Sequence, residues 1–231
     1  MQYKRGVNYM TFPEIFITEI SSVLFIESIE GKFNKVLVAA DIVDNFNYFD
    51  NEQVILPIPD DAPGEIPRIV LKGSEYQCQI SLKQLILINN SSTLILSNAE
   101  ALIVNLKKII EIVTNKPGMR FSRIGFVVKG YLEAEPFGYI REYYIKDKII
   151  NCNGYDLGFL FKPEMEEIKF NKWVKFTSEK ERVNFIIDYN TVNDLNSEFS
   201  VITLNGILDY INNEFKNDNI ALFQTGVITE A

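Results

Sequence analysis

The feature that most constrains the fold is a helix followed directly by a long strand, within residues 97–133. Residues Ser97–Glu100 have the pattern of a capping box, in which the Ser hydroxyl and the Glu carboxylate bond free N–H groups at the helix start. Apolar residues then recur at helical spacing and predict a broad apolar stripe along one side. The stripe consists of Leu102, Ile103, Leu106, Ile109, Ile110 and Val113. Pro117 and Gly118 end the pattern, so the predicted helix covers about 97–116.

The strand that follows is predicted over residues 121–133. One pleat face carries Ile124, Phe126, Val128 and Leu132, and the other carries Val127 and Tyr131. Apolar bulk on both faces is typical of a central strand that is covered on both sides for part of its length. Gly125 and Gly130 indicate a bulge or a close backbone approach. The interpretation is a core unit, with a ligand-binding face as the alternative.

A second amphipathic helix is predicted over about residues 203–216, from apolar residues at helical spacing. These residues are Leu204, Ile207, Leu208, Ile211 and Phe215. Most of the remaining chain consists of short extended segments joined by turns, including a predicted pairing of residues 85–88 with 93–96. The predicted fold class is therefore α+β, with mainly antiparallel sheet packed against these two principal helices. Residues 1–231 are interpreted as a single domain, and two loosely related halves, 1–133 and 134–231, are the alternative.

Composition excludes several classes of function. The 231-residue chain is long enough to bury a sizeable core without a metal or disulfide staple. Its net charge is −8 and its Lys and Arg residues do not cluster, so general nucleic-acid binding is not expected. The chain contains no histidine, which excludes Ser-His-Asp and Cys-His catalysis and removes the commonest metal ligand. No glycine motif for a phosphate cradle is present, and no cofactor is predicted.

The polar N-terminal residues and the short apolar stretches predict a cytoplasmic protein. The first ten residues are polar and lack the apolar run of a signal peptide. The longest apolar stretches are interrupted or amphipathic and too short to cross a bilayer, so no membrane partner is expected. The two cysteines, Cys78 and Cys152, are interpreted as reduced thiols.

Carboxylates are the remaining candidates for catalysis. Asp188, Asp194, Glu133 and Glu135 lie at or just after the ends of predicted strands. If two or more converged, they would be able to hold a metal ion or act as an acid/base pair. The alternative is that they are solvated surface charges, and no catalytic, cofactor-binding or metal-binding residue is predicted. Asp188 follows an apolar strand, so partial burial is expected for its carboxylate.

Aromatic residues in and beside loops suggest an interaction surface. The residues proposed for it are Phe46, Tyr48, Phe49, Phe137 and Tyr139. Aromatic side chains near acidic residues are typical of protein-contact surfaces. The alternative is that these rings cap the ends of the core.

The order of elements carries one resemblance to a known family. Residues 123–126 read Arg-Ile-Gly-Phe, and residues 185–189 lead through a polar loop into the final helix. This order resembles a sporadically distributed family of bacterial conserved hypothetical proteins. In that family the Arg-Ile-Gly strand continues with Arg, an aromatic residue and Asn, where this chain has Val127, Val128 and Gly130. The resemblance implies the fold layout and a bacterial origin; the family has no assigned activity, so it implies no catalytic residue.

Three functions follow from these observations. The first is a non-catalytic protein-interaction or accessory subunit of a bacterial cytoplasmic system, whose partner is another protein or a second copy. The sporadic distribution of the resembling family suggests phage defence as that system. The second is a small-molecule or nucleotide-sensing binding protein with a pocket between sheet and helix. The third is a hydrolase or nuclease that uses carboxylates and a metal.

Overall fold

One antiparallel sheet of ten strands organises the protein. The structure, a computed structural model, describes residues 14–49, 52–59, 61–92, 94–95, 97–133, 156–179, 181–192 and 198–218. The strands are β1 (Ile15–Ile29), β2 (Glu52–Ile55), β3 (Ile69–Lys72), β4 (Tyr76–Ile80), β5 (Gln84–Asn89), β6 (Met119–Glu133), β7 (Asp156–Phe161), β8 (Glu164–Met165), β9 (Ile168–Glu179) and β10 (Arg182–Val192). Across the sheet the order is β2-β3-β4-β5-β1-β6-β10-β9-β7, and β8 pairs with β9.

The middle of the sheet is the pair formed by β1 and β6. Each strand has 15 residues, and their antiparallel register runs from Ile15 opposite Leu132 to Ile29 opposite Met119. The other edge of β6 pairs with β10, so strands from both sides of residue 133 belong to the same sheet. At Gly130 a Cβ would lie 2.3 Å from the carbonyl oxygen of Phe16, so only glycine fits. The predicted close backbone approach at this glycine is confirmed.

Three helices of the described ranges pack on one face of this sheet. They are α1 (Lys35–Asn45), α2 (Ser97–Asn115) and α3 (Val201–Asp218). All the residues of the predicted α2 stripe are buried, against β1, β5 and β6 and between the two other helices. On α3, Phe215 meets Phe126 of β6 edge to face, and Tyr210 lies against Phe170 of β9. Burying such a stripe removes apolar surface from water, which is the main source of stability for an amphipathic helix.

The predicted fold class is confirmed: the protein is α+β, with an antiparallel sheet packed against amphipathic helices. The predicted bounds of α2 and α3 agree with the observed bounds to within about two residues. The third helix, α1, begins at its cap Asn34, whose Oδ1 accepts from the N–H groups of Val36 (3.1 Å) and Leu37 (3.3 Å).

The predicted pairing of residues 85–88 with 93–96 is wrong. Strand β5 is paired along one edge with β1, where Val23 lies opposite Ile86, and along the other with β4. Both edges of β5 are therefore occupied. Leu94 makes only an isolated bridge with Ile17 of β1.

A buried arginine organises the proline-rich loop between β2 and β3. The guanidinium of Arg68 donates to the carbonyl oxygens of Ile66 (2.9 Å), Ala62 (3.2 Å) and Pro63 (3.4 Å). Buried polar groups need such partners, because an unbonded one costs about 1–3 kcal/mol. The loop is thus folded around its own side chain.

No helix within the described ranges is both long and apolar enough to span a membrane. Cys78 is a free, fully buried thiol, and burial raises its pKa to about 12. Cys152 lies outside the described residues.

Candidate functional site

The face of the sheet opposite the helices, here called the open face, carries the candidate site. Along β9 and β10 buried residues alternate with accessible ones, and the buried set points toward the helices. No helix of the described ranges packs on the opposite side. The other pleat face of β6, with Val127 and Tyr131, is only partly buried. The expected double cover of this strand is therefore not supplied by any described helix.

A mostly apolar row of side chains, here called the apolar row, crosses the open face. Cross-strand neighbours in the row are Ile88, Ser21, Val127, Asp188, Trp173 and Leu160, from β5 to β7. At its β7 end, Trp173 is 44% exposed and Leu160 is 41% exposed. Trp173 is the only tryptophan in the chain. A Cβ at Gly158 would lie 3.9 Å from the indole, so glycine there leaves one edge of the ring accessible.

Asp188 is the titratable group of this row. It lies between Val127 of β6 and Trp173 of β9, and Asn190 Nδ2 donates to its Oδ1 at 2.7 Å. Partial burial between these side chains raises the pKa of Asp188, although the Asn190 hydrogen bond and the charge of Lys129 oppose the rise. The expected partial burial of this carboxylate is confirmed.

Ion pairs surround the apolar row. Lys129 Nζ lies 2.9 Å from a carboxylate oxygen of Glu19, and Lys175 Nζ lies 3.0 Å from one of Asp156. Near the start of β10, Arg182 binds Glu179 at 2.8 Å. Each of these cations has an anionic partner, and Asp188, Glu133 and Glu181 add further carboxylates, so the described part of this face has no excess of positive charge.

The predicted carboxylate candidates do not form one site among the residues described. Asp188 is opposite Val127, whereas Glu133 is opposite Arg182, so six residues of β6 separate their positions, about 20 Å. Glu133 instead lines a cavity of about 1000 Å³ with Glu179 and Arg182. Asp194 and Glu135 lie outside the described residues. In the described ranges, no three His, Cys, Asp or Glu side chains lie close enough together to hold a metal ion.

The predicted aromatic surface is largely core where it is described. Phe46 and Phe49 are buried, in contact with each other beside α1 and α2, because they close the end of the helix layer. This arrangement matches the alternative interpretation that the rings cap the core. Tyr48 is 42% exposed and packs edge to face on Tyr76, so it stays a candidate contact residue. Phe137 and Tyr139 lie outside the described residues.

Sequence reasoning did not single out Trp173 as a site residue, although a signal for it exists. Phe170, Val174 and Phe176 are apolar at alternate positions and set the buried face of β9. Trp173 has the opposite parity, so it must point to the other face. A large aromatic residue out of phase with a buried face is the sequence signature of this surface.

No protein-family model matches the chain, and a search of curated proteins returned no match.

Proposed function

We propose that this protein is a non-catalytic interaction subunit that binds another protein through the open face, centred on Trp173. The observation that carries the proposal is the half-exposed apolar row that ends in Trp173 and Leu160. Tryptophan is among the residues most enriched at the energetic centres of protein interfaces. An exposed tryptophan on a rigid strand loses little conformational freedom on binding, which favours a contact role.

The arrangement around the row supports a protein as the partner. Protein interfaces combine an apolar centre, depleted in charge, with a polar rim. Here Val127, Trp173 and Leu160 form the apolar part of the centre, and Asp188 lies partly buried between Val127 and Trp173. The Glu19–Lys129 and Asp156–Lys175 pairs lie at its side. Nucleic acid fits poorly, because the lysines that would contact phosphates already hold carboxylates. The expected partner surface is therefore apolar at its centre, with polar groups around it.

The test compares two truncations of exposed apolar residues. Trp173→Ala removes the centre of the proposed surface, and Ile202→Ala, 85% exposed on α3, is the matched control. Partners captured from a native lysate are identified by mass spectrometry. The affinity of each purified partner is then measured for the native chain and for both variants. We expect Trp173→Ala to weaken binding by about thirtyfold or more, which corresponds to about 2 kcal/mol, and Ile202→Ala to leave it unchanged. Equal affinity for Trp173→Ala and the control would refute the proposal.

Self-association is a separate outcome of the same experiment. Sedimentation of the purified protein over a concentration series distinguishes a second copy from a different protein. A mass that rises with concentration for the native chain but not for Trp173→Ala would replace the proposed partner by a second copy. The proposal also includes an accessory role in a bacterial cytoplasmic system, which the identity of the captured partner tests.

A further inference from the structure

A second feature lies away from the open-face row, at the turn that joins α2 to β6. A cavity of about 640 Å³ opens there between this turn, the end of β1 and the start of α3. Three of the side chains that line it are basic: Lys32, Lys116 and Arg120. A cavity of this size accommodates a small molecule rather than only a single ion.

Backbone hydrogen bonds between two turns hold one side of the cavity in place. The N–H of Glu30 donates to the carbonyl of Gly118 at 3.1 Å, and that of Gly31 donates to the carbonyl of Pro117 at 3.0 Å. A Cβ on Gly31 would lie 2.9 Å from the Pro117 oxygen, and Gly118 has a φ of +81°, so both positions favour glycine. The lysines are therefore attached to a turn pair whose spacing is set by the backbone.

The charges around the cavity are unbalanced in favour of cations. Glu30 is the one acidic side chain among the described lining residues, and it accepts from Arg120 Nε (2.9 Å) and Nη2 (2.8 Å). This leaves Lys32 and Lys116, both exposed, without an ion-pair partner in the described part of the chain. A second nearby carboxylate, Glu198, accepts from the Ser28 hydroxyl at 2.5 Å. Among the described residues, even with Glu198 counted, three cations face two anions, in a chain whose net charge is −8.

The start of α3 adds to this positive region. Val201, the first residue of the 18-residue helix, lines the cavity. The first turn of α3 contains no acidic residue, so the positive end of its dipole is not neutralised from within the helix. The Ser200 hydroxyl accepts the N–H of Thr203 at 3.0 Å. Together with the two lysines, this end of α3 favours an anion in the cavity.

We propose that this cavity binds a compact phosphate-bearing small molecule. Its phosphoryl oxygens accept hydrogen bonds from Lys32, Lys116 and Nη1 of Arg120. This nitrogen takes no part in the ion pair with Glu30, which uses Nε and Nη2. None of the described lining residues is aromatic, so this described part of the lining offers no ring on which a nucleobase would stack. The expected ligand is therefore a small phosphorylated or pyrophosphate-containing molecule, recognised by its charge. This site does not depend on the proposed interaction through Trp173.

The experiment uses inorganic pyrophosphate as the probe, titrated into the full chain by calorimetry at constant ionic strength. We expect saturable binding that weakens as salt is raised, because exposed charges are screened. The double variant Lys32→Glu/Lys116→Glu should bind at least tenfold more weakly. Lys83→Glu/Lys162→Glu makes the same change of net charge at exposed lysines elsewhere and should bind like the native chain. No saturable binding by the native chain, or equal losses in both double variants, would overturn the proposal.

A second measurement needs no variant. In a two-dimensional NMR titration of the native chain with pyrophosphate, we expect the largest amide shifts at Gly31, Gly118 and Val201. Shifts concentrated elsewhere would place the anion at another site and overturn the proposal. Trp173→Ala should bind pyrophosphate normally, so failure of the interaction surface and failure of this site are distinguishable.

Discussion

Asp188 lies directly opposite Trp173 in the antiparallel pair of β10 and β9, on the face that no described helix covers. The pair places a carboxylate beside the largest exposed apolar side chain in the described part of that face. Val127 lies on the other side of Asp188, so the carboxylate loses water contact on both flanks. The raised pKa of Asp188 is a direct result of this position.

The variant Asp188→Asn should be more stable than the native chain at pH 7. The folded state raises the pKa of Asp188 above its unfolded value of about 3.8, so the native chain loses stability as the pH rises through the folded pKa. Asparagine stays neutral and still accepts from Asn190. Melting temperatures measured from pH 3 to pH 7 should show a gain that grows with pH and vanishes below about pH 4. A pH-independent difference would contradict this explanation.

Gly73→Ala should destabilise the protein by more than about 2 kcal/mol. A Cβ at Gly73 would lie on top of the carbonyl oxygen of Tyr48, so the β3–β4 turn or the segment after α1 has to move. Urea unfolding gives the change in free energy. The control is Gly206→Ala in α3, where a Cβ meets nothing within 4 Å. That substitution should stabilise by about 0.5–1 kcal/mol, because glycine is entropically unfavourable inside a helix.

Leu106→Ala should cost about 2–5 kcal/mol, because Leu106 is fully buried in the α2 stripe and its removal leaves a cavity. The matched control is Val104→Ala on the same helix, where the side chain is 48% exposed. Its effect should stay within about 0.5 kcal/mol. Equal losses for the two variants would show that α2 does not pack on the sheet by the face described.

Cys78 should not react with a thiol reagent in the folded protein at pH 8. Its thiol is fully buried, and a pKa of about 12 keeps it protonated, whereas the thiolate is the reactive form. Labelling followed by peptide mapping separates Cys78 from Cys152. We expect the Cys78 peptide to be labelled only after denaturant is added. Labelling of Cys78 in native buffer at the rate of the denatured chain would contradict the described burial.

The parts of the fold that could be predicted are those encoded by local periodicity. The α2 stripe follows from one stretch of sequence, so its buried face was predicted correctly. The alternation along β6 separated its two pleat faces, but it did not indicate that the described helices cover only one of them. Strand partners are different, because hydrogen bonding between distant strands leaves little trace in either sequence. Residues 85–88 were therefore matched to the nearest extended segment, although their partners are β1 and β4.

The site was harder to predict for a similar reason. Burial of Phe46 and Phe49 depends on how α1 ends against α2, which local sequence does not specify. Arg68 is buried because the carbonyls of its own loop replace water, and no sequence pattern signals that arrangement. The exposure of Trp173 depends on which face of the sheet the helices occupy. The alternation along β9 shows that Trp173 points away from the buried face. It does not show that this second face lacks helices, which is known only from the packing of α1, α2 and α3.

The adjacency of β1 and β6 has a consequence for how the chain is made. β1 and its neighbour β6 are separated in the chain by β2 to β5 and two helices, so β6 is synthesised only after all of these. Until then a 15-residue strand keeps one edge of N–H and C=O groups unpaired, which is a template for pairing with other chains. Such long-range closure also slows folding. Fragments that end before Met119 lack β6 and leave this edge of β1 without its partner, so we expect them to aggregate.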